Sequence, residues 1–259
     1  MIFTACALVA QRYNPKNGLQ KLKDMDYSTF HNWIYNALAK AIENDKKQNS
    51  KLDVLLEEYS AVRMAITEDQ QAINDFIDNV CEIAELVNSD YWNGEDVMAI
   101  FFNEFNRYRK KSDAGQVFTP DHVTSFMYRL IDVNMKDRVL DATCGSGAFL
   151  VKSMCNMIKE AGGIKSKKAK EIKSEQLYGI EMYRKVYALA CANMMIHKDG
   201  KTNLAQMDAK SVEASDWIRE KKITKVLMNP PYERKYGCMA IVQNILASVP
   251  RGTKCAFIL

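Results

Sequence analysis

The sequence predicts an α/β protein in which a helical N-terminal domain, residues 1–110, precedes a parallel sheet with helices on both faces, residues 111–259. Three observations support this division. Apolar residues in the first hundred positions recur at helical spacing. After residue 117, short β-prone runs alternate strictly with helical segments, which is typical of a parallel sheet covered by helices. Polar and acidic residues stand where these runs end, at the edge where open α/β sheets bind ligands.

The composition is that of a globular chain with a substantial core. Of the 259 residues, 47% are hydrophobic and 26% are charged, and no run reaches the roughly 18 apolar residues of a membrane span. Residues 1–10 are apolar but follow no basic stretch, so we interpret them as a buried strand or helix rather than a signal segment. Seven cysteines without paired spacing and only three histidines predict reduced thiols, a cytoplasmic location and no structural metal.

Charge is distributed unevenly along the chain. Residues 1–110 carry 12 Lys and Arg against 17 Asp and Glu, a net charge of −5, whereas residues 111–259 carry 24 against 15, a net charge of +9. A basic half suits a phosphate-backbone partner, although surface lysines also keep proteins soluble. One basic run would either contact phosphate or form a solvated helix: Lys165, Lys167, Lys168, Lys170 and Lys173.

The predicted helices of the first domain are 27–43, 52–65, 72–87 and a further one from about residue 97. The second domain is predicted to begin with a helix over 123–131 that Asp121 caps. Five strands follow, at 139–141, 177–181, 204–207, 225–228 and 254–259, with helices between them at 147–160, 185–197, 212–221 and 239–248. The sequence stops at the fifth strand, so we expect a truncated sheet whose apolar edge favours self-association.

A polar turn, Asn229-Pro230-Pro231-Tyr232, follows the fourth predicted strand. The prolines fix φ and carry no N–H, so the turn offers the Asn229 amide oxygen and backbone carbonyls as acceptors beside an aromatic ring. Such a site suits a planar base with an exocyclic amine, which would donate hydrogen bonds while its ring stacks on Tyr232. Taken alone, the same four residues are also compatible with an ordinary turn that ends a strand.

Acidic residues end the first three predicted strands. Asp141 opens the turn Asp141-Ala142-Thr143-Cys144-Gly145-Ser146-Gly147, whose glycines allow close backbone approach and whose following helix offers free N–H groups. The acid before this turn argues against a phosphate and for a cationic or hydroxyl-bearing ligand. Glu181 is placed to accept from ribose hydroxyls and Asp208 from an adenine amine. Together the three acids predict an adenosyl ligand.

The order of these motifs resembles that of the amino-methylating DNA methyltransferases, in particular the modification subunit of type I restriction–modification systems. The resemblance includes the segment Gly115-Gln116-Val117-Phe118-Thr119-Pro120 ahead of the first strand and covers about residues 110–259. It implies that residues 111–259 form a Rossmann-like, S-adenosylmethionine-dependent methyltransferase domain that is incomplete at its C-terminus. The helical N-terminal domain is similar to that of the family in type.

The resemblance also implies roles for individual residues. The methionine end of the cofactor would be held by Phe118, Thr119, Pro120, Asp141, Thr143, Gly145, Ser146 and Gly147. The ribose would be held by Glu181 and the adenine by Asp208. The catalytic turn that holds the target base would be Asn229, Pro230, Pro231 and Tyr232. Cys144 lies inside the cofactor turn and is interpreted as a small packing residue rather than a nucleophile.

The function implied by the resemblance is methylation of adenine N6 in DNA within a restriction–modification system. The adenine would leave the duplex to reach the site, and a separate specificity subunit and a restriction subunit would be partners. One alternative is a methyltransferase that acts on protein glutamine or RNA guanine, because these also present planar amines to the same turn. Another is a non-catalytic, cofactor-binding assembly subunit. The segment Gln116-Val117-Phe118-Thr119-Pro120 favours DNA adenine.

Overall fold

The computed structural model describes residues 1–16, 18–46, 53–62, 69–88, 98, 100, 119–198, 203–232 and 237–259. Its N-terminal part is helical, as predicted. The elements there are α1 (Ile2–Tyr13), a 3₁₀ turn (Leu19–Leu22), α2 (Tyr27–Lys46), α3 (Asp53–Ser60) and α4 (Gln70–Asn88). The helix predicted from about residue 97 falls, apart from residues 98 and 100, outside the described residues.

The apolar stripes of these helices face the core, as their spacing predicts. On α4 the buried positions recur every three or four residues, at Ile73, Ile77, Val80, Ala84 and Val87. Helix α1 is buried at every position from residue 3 to residue 12, which confirms that the apolar opening segment is buried and decides for a helix between the two predicted possibilities, strand or helix. Helix α3 is shorter than predicted and ends at residue 60.

The second part of the chain alternates strands and helices. Its elements are α5 (Asp121–Leu130), β1 (Val139–Asp141), α6 (Ala148–Glu160), α7 (Lys167–Glu171) with a π-helical turn (Ile172–Gln176), β2 (Leu177–Glu181), α8 (Arg184–Ile196), β3 (Asn203–Gln206), α9 (Val212–Glu220), β4 (Lys225–Met228), α10 (Gly237–Ser248) and β5 (Lys254–Phe257). All five strands begin and end within two residues of the prediction.

The five strands form one parallel sheet in the order β3-β2-β1-β4-β5. Asp141 at the end of β1 stands opposite Gly179 of β2, and Val139 at its start stands opposite Lys225 of β4. Strand β5 lies at one edge of the sheet that the described residues form, as predicted. In the same residues, none of the helices has the length and apolar character that crossing a bilayer requires.

Successive strand residues point to opposite faces, so the sheet separates two apolar layers. One layer packs against α9 and α10, and the strand residues in it are Leu140, Tyr178, Ile180, Val226 and Met228. The other layer packs against α6 and α8, and the strand residues in it are Val139, Leu177, Leu204, Leu227 and Ala256.

Helices α1 to α4 continue the second layer. Helix α8 is buried from Val186 to Ile196, because it lies between the sheet and helices α1 and α3. The Arg12 Nε donates to the Ile196 carbonyl at 2.7 Å, so α1 meets the last turn of α8. The described helices therefore share one core with the sheet. The predicted boundary between residues 110 and 111 lies outside the described residues and stays a prediction.

The start of α5 differs from the prediction that Asp121 caps it, and that prediction is wrong. Pro120 occupies the N-cap with φ −59° and ψ 147°, and no side chain of the described residues caps the helix. The Pro120 carbonyl accepts the first helical N–H bonds at 3.0 and 3.1 Å, so the helix begins two residues earlier. Asp121 is its first residue, where the positive helix end favours a carboxylate, and its Oδ1 pairs with Lys152 Nζ at 2.7 Å.

Candidate active site

The predicted site residues meet at the carboxyl edge of the sheet. Asp141 and Glu181 end β1 and β2, while Asp208 and Asn229 closely follow β3 and β4. The strand order reverses between β1 and β4, because β2 and β3 lie on one side of β1 and β4 and β5 on the other. The crevice at such a switch point is where open α/β sheets bind ligands.

A cavity of about 540 Å³ opens at this edge, a size suited to a ligand as large as a nucleoside. The structure brings together around it Thr119, Asp141, Thr143, Gly145, Ser146, Glu181, Asp208, Asn229, Pro230, Pro231 and Tyr232. Pro120 and Gly147 belong to the adjoining backbone and do not line the wall. Phe118 lies outside the described residues.

The turn after β1 forms one wall of the cavity. Gly145 and Gly147 have φ of 55° and 93°, the left-handed region that glycine enters without strain. The Cys144 N–H donates to a carbonyl of β2 at 2.9 Å. Behind the turn, Asn193 of α8 donates its Nδ2 to the Ser146 carbonyl at 2.9 Å. The turn is therefore fixed by neighbouring elements before any ligand arrives.

The Glu181 carboxylate links this turn to the start of α8. Its Oε2 accepts the Gly145 N–H at 3.2 Å and its Oε1 accepts the Tyr183 N–H at 2.8 Å. Burial raises the pKa of Glu181, and these N–H bonds oppose the rise. Each carboxylate oxygen retains a further lone pair, so the group can still accept from ligand hydroxyls.

Asp141 is the more deeply buried acid, with 2% of its surface exposed. Burial raises the pKa of Asp141 to about 8; the Thr143 N–H, which donates at 3.1 Å, opposes the rise, and the charge of Glu181 adds to it. In the ligand-free protein this carboxyl therefore holds its proton over much of the neutral range. A cationic ligand beside it would favour the carboxylate.

Two buried acceptors of the cavity wall have no protein partner in the described part of the chain. They are the Asn229 Oδ1 and the Thr143 Oγ1, both beside the cavity. Buried polar atoms are almost always hydrogen-bonded in folded proteins. The Asn229 Nδ2, by contrast, donates to the Thr119 Oγ1 at 3.0 Å. The two unpaired atoms therefore point to a polar ligand in the cavity.

Some lining residues were missed by the sequence reasoning. Met182 and Tyr183 directly follow Glu181, line the cavity and are 42% and 56% exposed. Their position directly after Glu181 could have indicated them, because a planar ligand ring that is held by an acid also needs an apolar surface beside it. Ile241 of α10 also lines the cavity. It has no local signal, since only the fold brings its helix to the site.

Cys144 behaves as a packing residue. Burial, followed by the charges of Asp141 and Glu181, raises the pKa of its thiol well above the ordinary value, and a protonated thiol is a poor nucleophile. Its Sγ lies 3.1 Å from the point where a Cβ on Gly179 would stand. Among the residues that the structure describes, no three His, Cys, Asp or Glu side chains are grouped to hold a metal ion.

The lysine-rich run lies away from the cavity. Four of its five lysines lie in α7 and the π-helical turn, which lead into the amino end of β2, whereas the cavity lies at the carboxyl end. Lys168 pairs with Glu171, and the Lys173 Nζ donates to the Lys198 carbonyl at 2.7 Å. This placement favours the interpretation as a solvated helix over phosphate contact at the cavity.

A family model described as N-6 DNA Methylase matches residues 95–253, a span that contains strands β1 to β4 and every residue that lines the cavity. The chain belongs to the N-6 DNA methylase family. This membership confirms the resemblance on which the motifs were interpreted.

Two curated relatives illustrate the relationship. The type II restriction enzyme and methyltransferase RM.BcgI of Heyndrickxia coagulans is 37% identical over 149 residues, which are 57% of this chain and 22% of that protein. The type I restriction enzyme EcoEI methylase subunit of Escherichia coli is 26% identical over 121 residues, which are 46% of this chain and 24% of that protein. The matched region thus spans less than a quarter of either relative.

Solved structures show the same fold. A chain of a type I restriction–modification system aligns with a TM-score of 0.62 and 16% identity, covering 99% of this chain and 58% of that one. The type I methyltransferase subunit of Streptococcus thermophilus aligns with a TM-score of 0.51 and 16% identity, covering 99% and 68%. These alignments confirm the predicted class, a helical N-terminal part joined to a Rossmann-like methyltransferase sheet.

Proposed function

We propose that this N-6 DNA methylase transfers a methyl group from S-adenosylmethionine to adenine N6 in DNA, as part of a restriction–modification system. The observation that carries the proposal is the Asn229 Oδ1, which is buried without a partner among the described residues on the wall of the cavity that the acids of three strands share. A buried acceptor at this place suits a ligand that donates from an amine. The names of the relatives support DNA as the substrate class.

The cofactor would be held in three parts. Glu181 would accept from the ribose hydroxyls and Asp208 from the adenine amine. The methionine end would be held by Asp141, Thr143, Gly145, Ser146 and Gly147, together with Phe118, Thr119 and Pro120. The polar groups of the cavity support this fit, because its carboxylates can accept from ribose hydroxyls and the Thr143 hydroxyl, which has no partner in the described part of the chain, can bind a polar group of the ligand. When bound, S-adenosylmethionine supplies an electrophilic methyl group on a cationic sulfur.

The target amine requires help because its lone pair is delocalised into the adenine ring. The Asn229 Oδ1 and the Pro230 carbonyl would accept its two N–H bonds and favour a geometry in which the lone pair is free. Tyr232, which is 59% exposed beside the cavity, would stack on a base that has left the duplex. Positioning and fixed dipoles would supply the rate, without a covalent intermediate on the protein.

The proposed partners are DNA, a specificity subunit that supplies the recognition sequence, and a restriction subunit. The net charge of +9 on residues 111–259 supports an approach to the phosphate backbone. The relatives named as a type I methylase subunit and as a combined restriction enzyme and methyltransferase support a restriction–modification setting.

The test is methyl transfer from labelled S-adenosylmethionine by the complete enzyme that contains this chain, with mass spectrometry of the digested DNA. We expect N6-methyladenine from the wild type and none from Asn229→Ala. Asn203→Ala is the matched control, because this amide contacts the Ser174 carbonyl at the amino end of the sheet; its activity should be unchanged. N4-methylcytosine, or label found only in protein or RNA, would reject the adenine assignment. Cofactor binding with no transfer to any acceptor would favour an assembly subunit.

A further inference from the structure

The side-chain amide of Asn244, on α10, holds the turn that carries Asp208. Its Nδ2 donates to the Ala209 carbonyl at 2.8 Å and to the Ser211 carbonyl at 3.3 Å. Its Oδ1 accepts from the Ser215 Oγ of α9 at 2.8 Å. Carbonyl oxygens can only accept, so only the NH₂ end of this amide can face the turn. The amide therefore ties the turn after β3 to α9 and α10 in one defined orientation.

The same turn holds the Asp208 carboxylate. The Lys210 N–H donates to the Asp208 Oδ1 at 2.9 Å. This N–H and the Ala209 carbonyl belong to one planar peptide unit. Asn244 therefore binds one end of a rigid group whose other end binds the carboxylate. Asp208, Ala209 and Lys210 all line the cavity, so the peptide unit that Asn244 holds is part of the cavity wall.

We propose that Asn244 is a positioning residue that fixes the direction of the Asp208 carboxylate toward the adenine amine of the cofactor. This inference rests on the proposed function, in which Asp208 accepts from that amine. Without the Asn244 bonds the peptide between Ala209 and Lys210 can rotate, and its N–H no longer holds the carboxylate in one direction. Asn244 is not among the described residues that line the cavity, so it acts on the cofactor through this turn.

Helix α10 gives the amide a fixed origin. Ile241, one turn before Asn244, lines the cavity and is 4% exposed. Ile245, the residue after Asn244, is fully buried in the apolar layer between this helix and the sheet. Ser215, which binds the far end of the amide, is 5% exposed. The packing of α10 therefore holds Asn244 at a set distance from the Asp208 turn.

The test compares adenosine with purine riboside, which lacks only the amine, in competition with labelled S-adenosylmethionine on the complete enzyme that contains this chain. The wild type should bind adenosine about 10- to 100-fold more tightly, the usual effect of a hydrogen bond to a charged group. Asn244→Leu keeps the approximate size of the side chain and removes both donors, so this ratio should fall at least about 5-fold. Gln243→Leu, the matched control, makes the same change at the exposed neighbouring position of α10; its ratio should equal that of the wild type.

The affinity ratio separates positioning from a structural role, because a general loosening of the fold weakens both nucleosides equally. An unchanged ratio in folded Asn244→Leu overturns the inference, as does equal affinity of the wild type for the two nucleosides. Ser215→Ala, which removes one contact of the amide and leaves both donors, is the milder variant, with an expected fall of about 2-fold. If Asn244→Leu does not fold, an unchanged ratio in Ser215→Ala overturns the inference. Absence of N6-methyladenine would reject the proposed function, while the ratio would still decide the role of Asn244.

Discussion

Replacing Asp141 with Asn should stabilise the ligand-free protein at neutral pH while removing its ability to hold the cofactor. The carboxyl is 2% exposed, and burial raises its pKa from an ordinary value of 3.8 to about 8. The folded protein thus keeps a proton that the unfolded chain releases near pH 4. Asparagine is neutral at every pH, and its Oδ1 can still accept the Thr143 N–H that Asp141 now accepts at 3.1 Å.

The sign follows from proton linkage. Between pH 3.8 and about 8 the folded state binds more protons at this site than the unfolded state, so the contribution of Asp141 to stability is lost as pH rises through that window. Each pH unit is worth about 1.4 kcal/mol, so the contribution falls by about 3 kcal/mol between pH 5 and pH 7. The stability of Asp141→Asn relative to wild type should rise by that amount and level off above about pH 8.

Urea unfolding at pH 5, 6, 7, 8 and 9 measures this difference. The matched control is Asp216→Asn on α9, whose side chain is 64% exposed and pairs with Arg219 at 2.8 Å; its change in stability should stay below about 0.5 kcal/mol throughout. Titrating groups that both proteins share cancel in the difference. A difference that does not change between pH 5 and pH 8 would mean that Asp141 ionises normally in the folded protein, and the reasoning from burial would be refuted.

Three further predictions concern other parts of the structure. Asp141→Ala should abolish S-adenosylmethionine binding in calorimetry and Asn229→Ala should leave it nearly intact; equal losses would contradict the division of roles. Gly179→Ala should destabilise the fold by about 1 to 3 kcal/mol in urea unfolding, because its Cβ would stand 2.6 Å from the Leu204 Cδ2; wild-type stability would show that the contact relaxes. Burial and two nearby cations lower the pKa of His197 to about 3, so the stability that this imidazole contributes is lost as the pH falls from 6.5. Between pH 6 and pH 4 the free energy of unfolding should therefore fall by about 3 kcal/mol less in His197→Gln than in the wild type. An unchanged acid transition would argue against a buried neutral imidazole.

Much of the secondary structure could be predicted from the sequence. Strands β1, β2 and β4 match the predicted ranges at both ends, because strands buried on both faces form short apolar runs with polar turns at their ends. Helix ends were less accurate. At α5 residue type predicts Asp121 as the cap, whereas the helix begins from the Pro120 carbonyl.

The residue types of the candidate site were also readable from the sequence. Asp141, Glu181, Asp208 and Asn229 stand at or just after the ends of strands, and parallel strands place all such ends on one edge. That they line one cavity depends further on the strand order, which places β4 beside β1. No local pattern encodes that order, because it results from how distant helices cover the two faces.

The sequence by itself determined the alternating α/β architecture, the strand ends and the chemistry available there. Only the tertiary structure decided the state of each group: the raised pKa of Asp141, the close approach at Gly179 and the hydrogen bond between Asn229 and Thr119. Periodicity and turn chemistry are properties of neighbouring residues, so they can be read along the chain. Desolvation and hydrogen-bond partnership depend on groups such as Thr119 and Asn229, which lie 110 residues apart and meet only when the helices and the sheet have packed.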